Sequence, residues 1–204
     1  QVMRATTAAP AVSERATDSF RGHDPFDDVA TVEELRELER EVVSLVERLR
    51  PSVVMLRIGE RGAVSTGTAV IIESNGLLAT CGHVGQRAGR PVTAVLDDGT
   101  ELEGHTLGQV LEGTIDCGLV QLDTQGRELP AAPLGSTRDL ATGDWVIAMG
   151  YTHGLRGDDR PALTRVGRVL GVTRETLFFD APIDAGDSGG PTFNLRGEVV
   201  GLNS

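Results

Sequence analysis

Between residues 31 and 50 apolar side chains recur every three or four positions: Val32, Leu35, Leu38, Val42, Val46 and Leu49. That period places them along one face of a helix. Thr31 followed by Glu34 fits a capping box, in which each side chain satisfies the other residue's orphan amide, and Pro51 ends the pattern. The apolar face suits either of two roles, packing on the rest of its own chain or joining subunits. Residues 1–30 carry Thr, Ala, Pro, Ser, Asp and Arg with no apolar period and read as a flexible arm.

From residue 52 the period becomes that of strands. Ser52–Ile58, Gly67–Glu73, Leu77–Thr80, Val92–Leu96, Glu101–Leu107 and Cys117–Asp123 are short and rich in β-branched residues, and turn residues separate most of them. Asn75-Gly76 and Asp98-Gly99 are hairpin signals, because both central positions of such a turn need positive φ. Six strands so closely spaced predict a small closed antiparallel barrel. Residues 124–140 read as a connector. A second run follows, at Asp144–Met149, Thr164–Val172, Thr176–Asp180, Pro191–Asn194 and Glu198–Ser204. The expected protein is all-β: an arm over 1–30, an amphipathic helix over 31–50, one barrel over 51–126 and a second over 127–204.

Composition narrows the chemistry. Aromatic residues make up only 3% of the 204, so the core must be aliphatic. The formal net charge of −11 repels phosphate backbones and disfavours nucleic acid as a partner. Cys81 and Cys117 do not form a disulfide-dense framework, and both a single bridge and two buried thiols are consistent with them. The four histidines, at 23, 83, 105 and 153, lack the paired spacing of a zinc site, so no metal is expected. No apolar run approaches the length of a membrane span. No export signal is visible, and the start at Gln1 is compatible with one having been removed.

The sharpest local feature is Gly186-Asp187-Ser188-Gly189-Gly190-Pro191. Glycines on both sides of a serine allow a tight turn that can aim successive N–H groups at one point, as an oxyanion hole requires. The amides of Gly186 and Ser188 are the candidate donors. A serine hydroxyl needs a base, and His83 follows a strand in Thr80-Cys81-Gly82-His83-Val84. The base needs an orienting carboxylate, and Asp116 heads the apolar strand Asp116-Cys117-Gly118-Leu119-Val120. Each residue alone has a bland reading as an idle turn serine, a structural histidine or a solvated acid. Their chain order, His then Asp then Ser, belongs to the chymotrypsin architecture and argues against an α/β-hydrolase esterase, which would also need alternating helices.

The chain resembles the trypsin-like peptidases of the HtrA (Deg) family, in the chymotrypsin superfamily, from about Val46 to Ser204. The likeness rests on Pro51-Ser52-Val53-Val54, Thr66-Gly67-Thr68-Ala69-Val70-Ile71-Ile72 with Asn75-Gly76, the His83 and Asp116 segments, Gly143-Asp144-Trp145-Val146-Ile147-Ala148-Met149-Gly150 with Gly154, Ile183–Pro191, and Gly197-Glu198-Val199-Val200-Gly201. It implies two six-stranded barrels of the chymotrypsin type. It also implies a cofactor-free endopeptidase acting outside the cytoplasm on unfolded or damaged proteins, and trimers built through N-terminal segments. By the same likeness Pro182, Ile183 and Ala185 line the pocket for the side chain before the scissile bond. With no acid at the position that gives trypsin its preference, small or medium apolar side chains are expected there. Ser204 matches a position whose backbone faces substrate and whose hydroxyl approaches the catalytic Asp.

Three departures from the family pattern stand out. Asp187 replaces the usual Asn before the nucleophile, and with no activation site evident near Arg57–Val64 it needs some other partner or an exposed loop. Tyr151-Thr152-His153 replaces Asn-Pro-Phe. The family continues beyond the position of Ser204, so the second barrel is expected to be incomplete. That last point keeps open a second reading, a catalytically weak protease-fold module that binds peptides as an added strand.

Overall fold

A computed structural model describes residues 31–59, 65–152 and 161–204. The expected arm and His153 lie outside the described residues. Helix α1 spans Val32–Leu49 and carries the predicted capping box: Glu34 N–H donates to Thr31 Oγ1 at 3.2 Å, and Thr31 N–H to Glu34 Oε2 at 2.8 Å. Its buried side chains are Leu38, Leu45 and Leu49, whereas Val32, Leu35 and Val43 are exposed. Of the predicted stripe Leu38 and Leu49 are therefore buried while its start, Val32 and Leu35, stands exposed, and Leu45, absent from that stripe, is one of the anchors on the core.

A 3₁₀ turn at Arg50–Ser52 leads into a closed six-stranded antiparallel barrel. Its strands are β1 (Val53–Ile58), β2 (Ser65–Glu73), β3 (Leu77–Thr80), β4 (Pro91–Val95), β5 (Glu101–Glu112) and β6 (Ile115–Leu122), in the order β1-β2-β3-β6-β5-β4. A one-turn helix α2, Gly82–Gly85, follows β3. Pairing of Met55 with Val95 and of Ile58 with Val92 closes the ring. Strand β5 runs five residues past the expected end at Leu107. A bulge explains this: Thr106 pairs with Val120 and Gly108 with Leu119, which leaves Leu107 as the extra residue. Beyond it Val110 and Leu111 are exposed, so no buried alternation marks the extension.

The second sheet comprises β7 (Trp145–Gly150), β8 (Leu163–Val172), β9 (Leu177–Phe179), β10 (Pro191–Asn194) and β11 (Val199–Leu202), in the order β11-β10-β7-β8-β9. Among the described residues it is an open five-stranded sheet, in line with the expected incomplete second barrel.

Two apolar clusters follow from strand alternation. Val54, Leu56 and Ile58 of β1 and Ala69 and Ile71 of β2 face the barrel interior with Leu78, Val92, Leu102 and Val120. Val53, Val70 and Ile72 point the other way, onto Leu45, Leu49, Ile147, Met149 and Phe193. Burial on both faces is why β1 and β2 read as continuous apolar runs. Each fully buried side chain of this size contributes about 1.5–3 kcal/mol. The second cluster thereby fixes the helix and the second sheet against one side of the barrel.

Candidate active site

Strand β3 ends at Thr80, and α2 turns His83 out over the barrel's end, where its side chain is half exposed. Asp116 is the second residue of β6, two positions before Gly118, which pairs with Thr80. The sheet register thus brings together two residues 33 apart in sequence. His83 Nδ1 lies 2.5 Å from Asp116 Oδ2, and His83 N–H donates to Asp116 Oδ1 at 2.9 Å. Both carboxylate oxygens are engaged by one residue, which fixes the ring's orientation and leaves Nε2 as the face for proton transfer. Ser204 Oγ donates a further bond to Asp116 Oδ2 at 2.9 Å. Burial alone would raise the Asp116 pKa. The hydrogen bonds from the His83 ring, its amide and Ser204 outweigh that and hold the carboxyl below its ordinary value.

Ser188 comes from the other sheet, in the loop before β10, and is half-buried. Its carbonyl accepts from Thr68 N–H of β2 at 2.9 Å. Gly189 N–H donates to Asn203 O, and Gly190 N–H to Asp187 O, both at 2.8 Å. Gly186 has φ of 97°, in the left-handed region that favours glycine, and its carbonyl accepts from the buried Thr68 Oγ1 at 2.7 Å. A Cβ on Gly189 would sit 2.1 Å from Thr80 Oγ1 and 2.2 Å from Thr68 O, so only glycine lets the loop press this closely on the barrel. Among the described residues no hydrogen bond joins Ser188 Oγ to His83. Such bonds commonly tighten only when substrate is present.

Beside these groups lies a cleft of about 320 Å³ whose lining includes Asp116, Phe178, Phe179, Ala181, Ile183, Thr192 and Ser204. Of the four residues expected at the substrate, Ile183 and Ser204 line it. Pro182 and Ala185 are exposed and do not: Pro182 points away between the lining residues Ala181 and Ile183, and at Ala185-Gly186 the chain turns into the Ser188 loop. The walls from β9, chiefly Phe178 and Phe179, had no sequence signal beyond a short apolar strand. Glu175 and Thr114 also line the cleft, joined by Thr114 Oγ1 donating to Glu175 Oε2 at 2.8 Å.

Cys81 and Cys117 are both free and buried. Burial, then the nearby Asp116 charge, push the Cys81 thiol up to about 12. Ligand atoms of Cys81, His83 and Asp116 lie within 4.8 Å of one another, a grouping that the spacing of histidines did not suggest. Without a metal, a thiol this basic stays protonated at neutral pH.

Residues 67–202 match the family model for the trypsin-like peptidase domain. A putative serine protease HhoA of Synechocystis is 36% identical over 152 residues, covering 71% of this chain and 38% of that protein. A probable periplasmic serine endoprotease DegP-like of Brucella suis is 33% identical over 151 residues, covering 72% of this chain and 29% of that protein. The chain thus spans about a third of the length of these curated relatives. The crystal structure of Deg5 superposes with a TM-score of 0.66 at 27% identity, covering 82% of this chain and 86% of that one.

Proposed function

Because this chain belongs to the trypsin-like peptidase domain family, we propose that it is a serine endopeptidase of the HtrA (Deg) kind, which hydrolyses unfolded or damaged polypeptides through an acyl-enzyme. The observation that carries this reading is the doubly hydrogen-bonded His83–Asp116 pair on the same barrel to which Thr68 N–H pins the Ser188 carbonyl. In this reading residues 51–126 supply base and carboxylate, and residues 127–204 supply the nucleophile.

Ser188 Oγ attacks the carbonyl carbon of the scissile peptide bond while His83 Nε2 takes its proton. Asp116 holds the Nδ1–H and stabilises the imidazolium. The amides of Gly186 and Ser188 receive the negative charge on the former carbonyl oxygen. Collapse of this intermediate passes the proton from His83 to the leaving amine, and water then hydrolyses the ester with the same residues in reverse. No cofactor takes part. The apolar walls at Phe178, Phe179 and Ile183 support small or medium apolar side chains before the cleaved bond, such as Val, Ala or Leu. Preferential cleavage after Arg or Lys in a peptide library contradicts that assignment. The periplasmic names of relatives support a site of action outside the cytoplasm.

Labelling with a fluorophosphonate tests the proposal. Modification at Ser188 that disappears in Ser188→Ala supports it. A protein that takes up no label, and in which both forms bind peptide equally, is instead a strand-adding peptide binder. The missing Ser188–His83 hydrogen bond is the observation that keeps that second reading in view.

A further inference from the structure

Asp187, immediately before the nucleophile, is completely buried, and nothing in the reaction described above uses it. A carboxylate in that position is costly unless it is paired and its oxygens are hydrogen-bonded. Its counter-ion is Arg165, the third residue of β8. Arg165 Nη1 lies 3.0 Å from Asp187 Oδ2, in an off-line geometry that makes an ion pair rather than a hydrogen bond. Arg165 Nη2 donates to Thr152 Oγ1 at 2.7 Å, and Thr152 Oγ1 in turn donates to Asp187 Oδ1 at 2.7 Å. Asp184 N–H donates to Asp187 Oδ2 at 2.9 Å. The guanidinium is itself largely covered, with 17% of its side chain exposed.

We propose that Arg165 is a positioning residue for catalysis: through Asp187 it holds the 184–190 loop, and with it the amides of Gly186 and Ser188, in the form that acyl transfer needs. The inference rests on the peptidase reading given above. The main chain of Asp187 is built into the loop, its N–H donating to Asp184 O at 3.1 Å and its carbonyl accepting from Gly190 N–H at 2.8 Å. Moving the Asp187 side chain therefore moves the turn on both sides of it. Without Arg165 the loop carries a buried unpaired charge, and rotating Asp187 out to water relieves it at the expense of the oxyanion geometry. The fork of the guanidinium matters as well: its two terminal nitrogens reach Asp187 and Thr152 separately, whereas the shorter lysine offers one nitrogen for both.

The test uses Arg165→Met, Arg165→Lys and Arg165→Met with Asp187→Asn in the full protein. Two readouts are compared: fluorophosphonate labelling rate together with kcat on peptide, and hydrogen exchange at the Gly189 and Gly190 amides. Arg165→Met should lower labelling and kcat by about 100-fold or more, the scale of a lost oxyanion donor, with KM held and exchange at both amides accelerated. Arg165→Lys should fall between that variant and wild type. The double variant removes the unpaired charge and should recover both readouts to within about tenfold of wild type. If Arg165→Met fails to fold, the Lys and double variants decide the matter by the same two readouts. A folded Arg165→Met with wild-type rate and exchange overturns the inference, as does a double variant no better than the single. A wild-type protein that never labels sinks the peptidase reading instead, and amide exchange still reports whether Arg165 holds the loop.

Discussion

Thr68 occupies a position from which the whole nucleophile loop can be perturbed by one hydroxyl. Its side chain is fully buried, its Oγ1 donates to Gly186 O at 2.7 Å, and the same oxygen accepts from Tyr151 N–H at 2.9 Å. Thr68→Val keeps the shape and removes both bonds, so little cavity energy enters. Two backbone groups then lose their buried partner, at about 1–3 kcal/mol each, for a loss of about 2–6 kcal/mol. With a urea m-value of about 3 kcal/mol per M, the unfolding midpoint should fall by about 1–2 M. Because the Gly186 carbonyl is freed beside a candidate oxyanion amide, fluorophosphonate labelling should slow as well. Thr68→Ser restores the hydroxyl and should recover most of both effects. A Thr68→Val protein within about 0.5 kcal/mol of wild type, the range of an ordinary surface substitution, and labelling at the wild-type rate refutes the reasoning.

Asp116→Asn should reduce kcat by about 10⁴-fold on peptide substrates, because the amide favours the wrong imidazole tautomer. Asp116 also contributes to acid sensitivity. Its folded pKa lies below the ordinary value of 3.8, so its stabilisation is complete above that value and is lost as pH falls through the lowered one. Urea midpoints across the acid range should show this loss in wild type and not in Asp116→Asn. Cys81, with its thiol raised to about 12, and buried Cys117 should resist iodoacetamide at pH 8 in the native protein and react fully once unfolded. Mass spectrometry counts the adducts, and native modification of Cys81 contradicts the assigned burial. Subunit assembly through α1, which the family resemblance implies, predicts that Leu35→Glu together with Val43→Glu, both exposed on α1, lowers the mass seen by light scattering without shifting thermal unfolding. An unchanged mass removes α1 from subunit assembly.

The candidate residues for acyl transfer are marked in the sequence by signals that are local or ordered. Gly186–Pro191 is a contiguous motif, and His83 and Asp116 sit at strand ends in the right sequence order. The barrel was legible because apolar alternation and turn residues mark its strands. What was hidden is tertiary. Thr68 is one threonine in an apolar strand, 118 residues from the carbonyl it holds. Arg165 looks like a solvated strand residue, and its partner Asp187 gave only the sequence question of what would pair with it. The cleft walls at Phe178 and Phe179 follow from where β9 docks, which no local pattern encodes. Leu45 lies just off the stripe from Val32 to Leu49, although a period of 3.6 admits it with Leu38 and Leu49.

The nucleophile loop belongs to the second sheet by chain order, but its hydrogen bonds tie it to both. Thr68 of the barrel takes the carbonyls of Ser188 and Gly186, through its amide and its hydroxyl. From the other side Arg165 and Thr152 hold Asp187, while Asn203 O, just past β11, accepts from Gly189 N–H and from Cys81 Sγ next to α2. The loop is thus clamped between two elements whose relative placement depends on the cluster of Val53, Val70, Met149 and Phe193. Close packing in that cluster transmits small shifts instead of absorbing them. The geometry at Ser188 is therefore a property of the seam between the sheets. This explains why the polar groups that matter most to the loop are buried ones remote in sequence from the serine.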